Sequence, residues 1–154
     1  MRAFLFATTI TCACCAGAMA QEQKVLPMDV DAIQWGPAPP ALPKGAEIAV
    51  LSGDPGAAET FTLRLKLPAG YKIPPHLHPH SEPVTVISGE LFFGSGDKLD
   101  EAAAERLGPG GYVELPAGVN HYAFAEVDTV IQITTEGPFG ITYANPADDP
   151  TRSQ

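Results

Sequence analysis

The chain has almost no cysteine. Its three cysteines, Cys12, Cys14 and Cys15, all lie near the N-terminus of the 154 residues. The rest of the sequence therefore offers no disulfide framework, and thiolate metal ligands are excluded there. Positive charge is also scarce, with nine Lys and Arg against eighteen Asp and Glu, for a formal net charge of −9. This balance gives the protein no electrostatic reason to bind nucleic acid or an anionic membrane.

Long hydrophobic runs are absent except at the N-terminus. Met1 and Arg2 give a basic start, an apolar run follows, and Ala18-Met19-Ala20 has the small-residue pattern of a cleavage site. The run is too short to span a membrane. We expect residues 1–20 to be a secretory signal peptide, so that the mature protein, with a net charge of −10, is periplasmic or secreted and makes no membrane contact. A lipoprotein with one of the three cysteines acylated is the alternative.

Glycine and proline, in contrast, are abundant, with 15 and 16 residues, while only 18% of the chain is charged. This composition favours a turn-rich β fold over a helical bundle. The clearest strand is Phe61–Leu67, in which apolar residues alternate with polar ones, as in an antiparallel sheet with one wet face. About eight or nine short strands separated by turns indicate a β-sandwich or barrel. Only Leu99–Leu107, short and Ala-rich, is predicted to be helical, as an insertion at one end of the sheet.

The composition also divides the chain into four parts. They are a signal peptide (1–20), a proline-rich N-terminal arm (21–45), a single β-domain (46–145) and a polar C-terminal tail (146–154). The arm contains too many prolines for regular structure, and Trp35 within it is expected to pack against the domain.

A group of potential metal ligands lies in the β-domain. His76 and His78 are two residues apart, so in a strand both imidazoles point to the same face. Glu82 follows at another even spacing, and His121 comes after a proline-glycine turn that can aim it at a partner strand. Imidazoles and a carboxylate that converge from strands are what a first-row transition metal prefers.

The spacing of these residues resembles the two motifs of the cupin superfamily. Residues 70–89 fit the first motif, G-x5-H-x-H-x3-E-x6-G, and residues 110–121 fit the second, G-x5-P-x-G-x2-H. Ala125 stands where the second motif usually has an asparagine that is not a metal ligand. The resemblance implies an all-β fold, the double-stranded β-helix or RmlC-like jelly-roll barrel, in a small secreted single-domain protein.

By the same resemblance, the metal ligands would be His76, His78, Glu82 and His121. Three nitrogens and one oxygen leave coordination positions open, and Fe, Mn, Ni, Cu or Zn could occupy the site as one divalent ion, whereas calcium and magnesium prefer oxygen ligands. The function we expect is that of a small-molecule metalloenzyme of dioxygenase type, with Glu82 as ligand and base. The alternatives are a non-catalytic metal-binding or ligand-binding or sensing protein, a metal-dependent isomerase or lyase, and a metal-free barrel.

Other residues extend these expectations. Ala123 and Ala125 share the face of His121 and leave room for a substrate of modest size, and Phe92 or Phe93, Tyr122, Phe124 and Phe139 are candidates for aromatic walls. His80 is either a further imidazole near the site or, as we favour, a solvent-facing loop residue. The arm and an exposed barrel edge would suit a homodimer, and the alternative is a monomer whose arm packs on its own sheet.

Overall fold

The structure is a computed structural model that describes residues 27–152, so the predicted signal peptide lies outside the described residues. Two short 3₁₀ helices, Val30–Ala32 and Pro146–Asp148, flank the strands. The strands are β1 (Gly36–Pro37), β2 (Glu47–Ser52), β3 (Thr60–Leu67), β4 (Lys72–Leu77), β5 (Glu82–Ser88), β6 (Leu91–Ser95), β7 (Glu105–Leu107), β8 (Tyr112–Leu115), β9 (His121–Phe124), β10 (Thr129–Glu136) and β11 (Thr142–Tyr143). Within this part of the chain, no helix is long and apolar enough to cross a membrane.

The strands form two antiparallel sheets. The first sheet has the order β1-β2-β3-β10-β5-β8, and the second has the order β11-β4-β9-β6-β7. Buried side chains from both sheets join one hydrophobic core, in which Leu63 and Leu65 of β3 belong to the same cluster as Ile73 of β4 and Leu91 of β6. The prediction of an all-β jelly roll is therefore confirmed.

Strand β3 behaves as its alternating pattern predicts. Phe61, Leu63, Leu65 and Leu67 are buried, and the intervening residues are half-buried. β3 pairs with β10 over its whole length, from Thr60 opposite Glu136 to Leu67 opposite Thr129. Polar side chains cross between the two strands on the outer face, for example the hydroxyls of Thr62 and Thr134 at 3.0 Å.

The helix predicted over Leu99–Leu107 is wrong. Its last three residues form β7, which pairs with β6 and places Leu107 opposite Leu91. Its first residues form a turn in which the Asp100 carboxylate accepts hydrogen bonds from the backbone N–H groups of Ala102 and Ala103. So short a segment is a marginal helix on propensity alone, and the hydrogen bonds of a sheet edge stabilise the extended form instead.

The arm packs on the barrel of its own chain. Contrary to the prediction of no regular structure, Gly36–Pro37 forms a short strand beside β2, with Gly36 opposite Ile48. Trp35 packs against the domain as expected, with the Lys66 ammonium 4.1 Å from its ring centroid.

Two buried tyrosines hold the following residues of the arm. The Tyr71 hydroxyl donates to the Pro43 carbonyl at 2.5 Å, and the Tyr143 hydroxyl donates to the Ala41 carbonyl at 2.7 Å. Burial raises the pKa of Tyr71 to about 12, so this hydroxyl stays a donor. The arm thus forms part of the barrel wall.

Candidate metal centre

The four predicted ligands stand where strands of the two sheets begin or end. His76 lies near the end of β4, directly opposite His121, which begins β9. His78 follows immediately after the last residue of β4, and Glu82 begins β5 in the first sheet, opposite Leu115 of β8. Short strands joined by turns therefore bring residues that are distant in sequence to one end of the barrel.

The four side chains meet in the interior. His76, His78, Glu82 and His121 are only 3%, 4%, 7% and 2% exposed. One ligand atom from each of them lies within 4.8 Å of the others. The convergence expected from the motif spacing is therefore present, and this group can hold a metal ion.

Backbone carbonyls fix the orientation of each imidazole through its Nδ1 atom. The pairs are His76 with Pro74 at 2.7 Å, His78 with Gly140 at 2.6 Å, and His121 with Val119 at 3.0 Å. Because a carbonyl oxygen only accepts, Nδ1 carries the proton in the neutral ring and Nε2 presents a lone pair. Such an outer hydrogen bond on the opposite ring nitrogen is typical of metal-binding histidines.

These lone pairs face further acceptors. The Nε2 atoms of His78 and His121 are buried without a hydrogen-bond partner. A carboxylate oxygen of Glu82, Oε2, lies 3.6 Å from the first and 3.3 Å from the second. Buried acceptors that face each other are unfavourable unless they share a cation. A divalent metal bound by three imidazole nitrogens and one carboxylate oxygen fits this donor set.

The protonation states suit metal binding as well. Burial, assisted by the nearby His121 and His78, lowers the pKa of His76 to about 3, and burial also lowers the pKa of His78. Burial raises the pKa of Glu82, but the neighbouring imidazoles of His121, His78 and His76 lower it by more, and the net pKa lies below its usual range. His76 and His78 are therefore neutral and Glu82 is ionised at neutral pH, as metal ligands must be.

A cavity of about 150 Å³ adjoins the four side chains. Phe139 and Phe93 belong to its wall, and the Phe139 ring stacks on His78 with centroids 4.5 Å apart. Phe92 stacks instead on Phe124, at 4.9 Å, and neither ring lines the cavity.

The other residues predicted to lie near the site also differ in whether they line the cavity. Ala123 lines the cavity as expected, whereas Ala125 is buried in the core outside the lining, as is Tyr122. Half-buried His80 is part of neither the ligand group nor the lining, which fits the loop position that we favoured.

Sequence patterns did not predict that the arm reaches the site. Pro39, Ala41 and Leu42 line the cavity together with residues of the barrel. Leu42, an apolar residue between prolines, is the feature of the arm that could have indicated this contact, and one such residue is a weak indication. The carbonyl that orients His78 also comes from a loop residue, Gly140, without a side chain to mark it.

Solved structures share the backbone fold. An RmlC-like cupin from Shewanella frigidimarina is 16% identical, with a TM-score of 0.57, over 75% of this chain and 94% of that protein. A candidate acetylacetone dioxygenase from Methylibium petroleiphilum is 20% identical, with a TM-score of 0.63, over 86% of this chain and 90% of that protein. The polyketide cyclase RemF from Streptomyces resistomycificus is 16% identical, with a TM-score of 0.64, over 82% and 90%. At these identities, the likeness shows the cupin fold.

Sequence similarity assigns the family. No curated protein is significantly similar to the chain in sequence. Residues 17–142 match the family described as a domain of unknown function, DUF4437, and this match includes all four candidate ligands and every residue of the cavity wall. The chain therefore belongs to the DUF4437 family and has the cupin fold.

Proposed function

We propose that the protein is a metal-dependent enzyme that oxidises a small molecule with O₂, as a dioxygenase does. The observation that carries this proposal is the buried set of unpartnered Nε2 lone pairs around the Glu82 carboxylate, at one side of a cavity. Since residues 27–152 bring four ligands together there, coordination positions remain for a substrate. The backbone similarity to a candidate acetylacetone dioxygenase supports the same reaction class.

The residues of the chain take distinct roles in this proposal. The backbone carbonyls of Pro74, Gly140 and Val119 hold the three imidazoles in one tautomer and one orientation. Bound there, a divalent transition metal supplies a Lewis acid for a substrate oxygen and, if redox-active, a route for electrons to O₂. Glu82 accepts a substrate proton at Oε2, the atom closest to His78 and His121. The apolar wall excludes water from the reaction.

A second candidate is a reaction without O₂, such as an isomerisation, lyase or cyclisation reaction. The polyketide cyclase RemF has the same fold over 82% of this chain, and the candidate metal centre could serve Lewis-acid chemistry equally well. Non-catalytic binding or sensing of a small ligand would use the same pocket. The identity of the metal and O₂ consumption separate these functions.

We also propose that the protein is exported after cleavage following Ala20, on the strength of its N-terminal sequence. N-terminal sequencing of the protein from a periplasmic fraction should begin at Gln21, and a fully cytoplasmic, uncleaved chain would contradict export. Homodimer formation is a further proposal, for which sedimentation of the mature chain is the test.

The metal is tested by native purification and elemental analysis. We expect about one divalent transition metal per chain, and we expect His121→Ala to weaken binding by more than the 10- to 100-fold typical of losing an outer hydrogen-bond partner. His80→Ala is the matched control, because His80 lies outside the ligand group, and it should retain the metal fully. Equal metal content in all three proteins would contradict the assigned site.

The reaction is tested by O₂ uptake with small diketones and phenols. Glu82→Gln should keep part of the metal and lose at least about 100-fold in turnover, in line with the loss of a general base. Glu136→Gln, an exposed glutamate at the end of β10, should react like the wild type. Normal turnover by Glu82→Gln would exclude the base role, and a zinc protein without O₂ uptake would favour the second candidate.

A further inference from the structure

The cavity beside the metal centre has a single polar end. Of its 21 lining residues, 17 are Pro, Ala, Leu, Ile, Val, Phe or Gly, and the other four are the candidate ligands. Among the residues that the structure describes, no Lys, Arg, Ser, Thr, Asn or Gln side chain lines it. Every polar side chain available to a ligand is therefore one that would also bind the metal.

This wall restricts the chemistry of a ligand. A sugar would bury several hydroxyl groups without hydrogen-bond partners, which is unfavourable for each group. A second carboxylate or a phosphate remote from the metal would meet no cationic side chain, and Glu82 adds negative charge at the polar end. The ligand that fits has its polar atoms gathered at one end and an apolar body.

The volume restricts its size. The cavity of about 150 Å³ is similar to the engineered apolar cavity that holds one benzene molecule. A body of about six to eight non-hydrogen atoms fills such a space. Longer molecules require an opening in the wall.

The arm forms a part of this wall that is easily altered. Leu42 is half-buried, packs against the core and lines the cavity. It belongs to an irregular segment, so its truncation removes wall volume without interrupting a strand ladder.

We propose that the cavity takes a compact molecule with an apolar body and one or two oxygen atoms at one end only, such as a small enolisable diketone or a phenol, and that Leu42 limits its size. The inference rests on the proposed function in that the oxygen end is bound at the metal. It goes beyond that function because it names the substrate class and a residue that sets it.

The test compares two molecules of the same size. In malonate, charged oxygens replace the methyl groups of acetylacetone, so the two molecules have the same number of non-hydrogen atoms. Calorimetric titration of the zinc-loaded protein, with zinc retention checked afterwards, should show acetylacetone binding at least about 10-fold more tightly than malonate. Equal binding, or tighter binding of malonate, would overturn the proposal.

The role of Leu42 is tested with a larger diketone that carries a phenyl group. Leu42→Ala should bind it at least about 10-fold more tightly than the wild type, because truncating the leucine leaves space in which the phenyl group can be buried. Leu51→Ala, a half-buried leucine of β2 outside the lining, is the matched control and should bind as the wild type does. If Leu42→Ala and Leu51→Ala bound the larger diketone with the same affinity, Leu42 would not be the residue that limits ligand size.

Failure of the proposed function leaves the cavity testable. If the protein binds no metal, benzene should still raise the thermal midpoint of the metal-free chain and malonate should not, because the wall is the same. A shift by malonate, or no shift by benzene, would overturn the inference about the cavity itself. Metal binding without O₂ uptake would contradict the oxidation chemistry and leave the ligand class standing.

Discussion

Buried polar side chains of β10 and those of the candidate metal centre differ in whether they find hydrogen-bond partners. In the first sheet, β10 buries Thr129 and Thr135, and both hydroxyls donate to carbonyls, Thr129 to Glu90 at 2.9 Å and Thr135 to Ser81 at 2.6 Å. The histidines of the second sheet are equally buried, yet Nε2 of His78 and of His121 has no partner. Buried polar groups in folded proteins are normally satisfied, so these two lone pairs, which face the Glu82 carboxylate, indicate a site for a ligand.

Both sheets contain register shifts, and the β3–β10 and β4–β9 pairs show the contrast between regular and interrupted pairing. β3 and β10 pair without a break over their full length. β4 and β9 lose register between Ile73 and His76, where Pro74 and Pro75 stand. Proline lacks the N–H of a ladder hydrogen bond, and the freed Pro74 carbonyl orients the His76 ring. We infer that the long paired strands of the first sheet contribute stability, whereas the irregular β4–β9 pair, together with Glu82 of β5, forms the site.

The largest effect should come from truncating a side chain of the first sheet. Ile133 of β10 is 1% exposed and does not line the cavity. We expect Ile133→Ala to lower the free energy of unfolding by about 2–5 kcal/mol through lost burial and the cavity left behind. Metal affinity of the folded protein should stay unchanged. Urea unfolding and metal titration measure the two quantities.

The neighbouring exposed residue Glu136 provides the control for this experiment. Glu136→Ala should change stability by no more than about 0.5 kcal/mol, as surface substitutions usually do. If Ile133→Ala abolished metal binding in protein that is still folded, the separation between the long paired strands and the site would be wrong.

Acidification should destabilise the metal-free protein through the buried histidines of the candidate metal centre. Burial lowers the pKa of His76 to about 3 from an ordinary 6.5. Below pH 6.5 the unfolded chain binds a proton that the folded chain excludes, so the free energy of unfolding falls as the pH falls. Between pH 7 and pH 5 the loss from His76 alone is about 2 kcal/mol, and above pH 7 it is absent.

Urea unfolding in the presence of a chelator, repeated at several pH values, measures this slope. His76→Gln cannot be protonated and should flatten the slope between pH 7 and pH 5. His80→Gln changes a histidine outside the ligand group and should leave the slope as it is in the wild type. If both variants kept the full slope, the pH dependence would not come from the site.

The ligands of the metal centre could be predicted because their spacing matches the two cupin motifs, and the local geometry of strands and turns agrees with that resemblance. The two-residue spacing of His76 and His78 places both on one face of a strand end, and the proline-glycine turn leads into His121 at the start of β9. Strand β3 could be predicted for a similar reason, since a period of two along Phe61–Leu67 fits only one kind of structure.

The predictions that failed depended on distant partners. Leu99–Leu107 has the alanines of a helix, but whether it can pair with β6 depends on a sheet edge that composition does not reveal. The position of the arm over the cavity depends on a hydrogen bond between Tyr143 and Ala41, 102 residues apart in the chain. No local pattern encodes such a contact.

The smallest effect should come from releasing the arm, which joins the two regions. Its strand β1 pairs with the first sheet, while the Tyr143 hydroxyl from the second sheet donates to the carbonyl of Ala41. We expect Tyr143→Phe to destabilise the protein by about 1 kcal/mol, the net contribution of one hydrogen bond. Because the arm is released locally, limited proteolysis between residues 38 and 45 should accelerate more than global unfolding does.

Two matched variants sharpen this last test. Tyr112→Phe removes the hydroxyl of a tyrosine that is 57% exposed and should change neither stability nor proteolysis. Tyr71→Phe removes the other hydrogen bond to the arm, at Pro43, and should reproduce the effect of Tyr143→Phe. Equal proteolysis in all three variants would mean that the two tyrosine hydrogen bonds do not hold the arm in place. Faster cleavage in only the two buried variants would mean that the arm, and with it this part of the cavity wall, depends on the hydrogen bonds from Tyr71, just before β4, and from Tyr143 of β11.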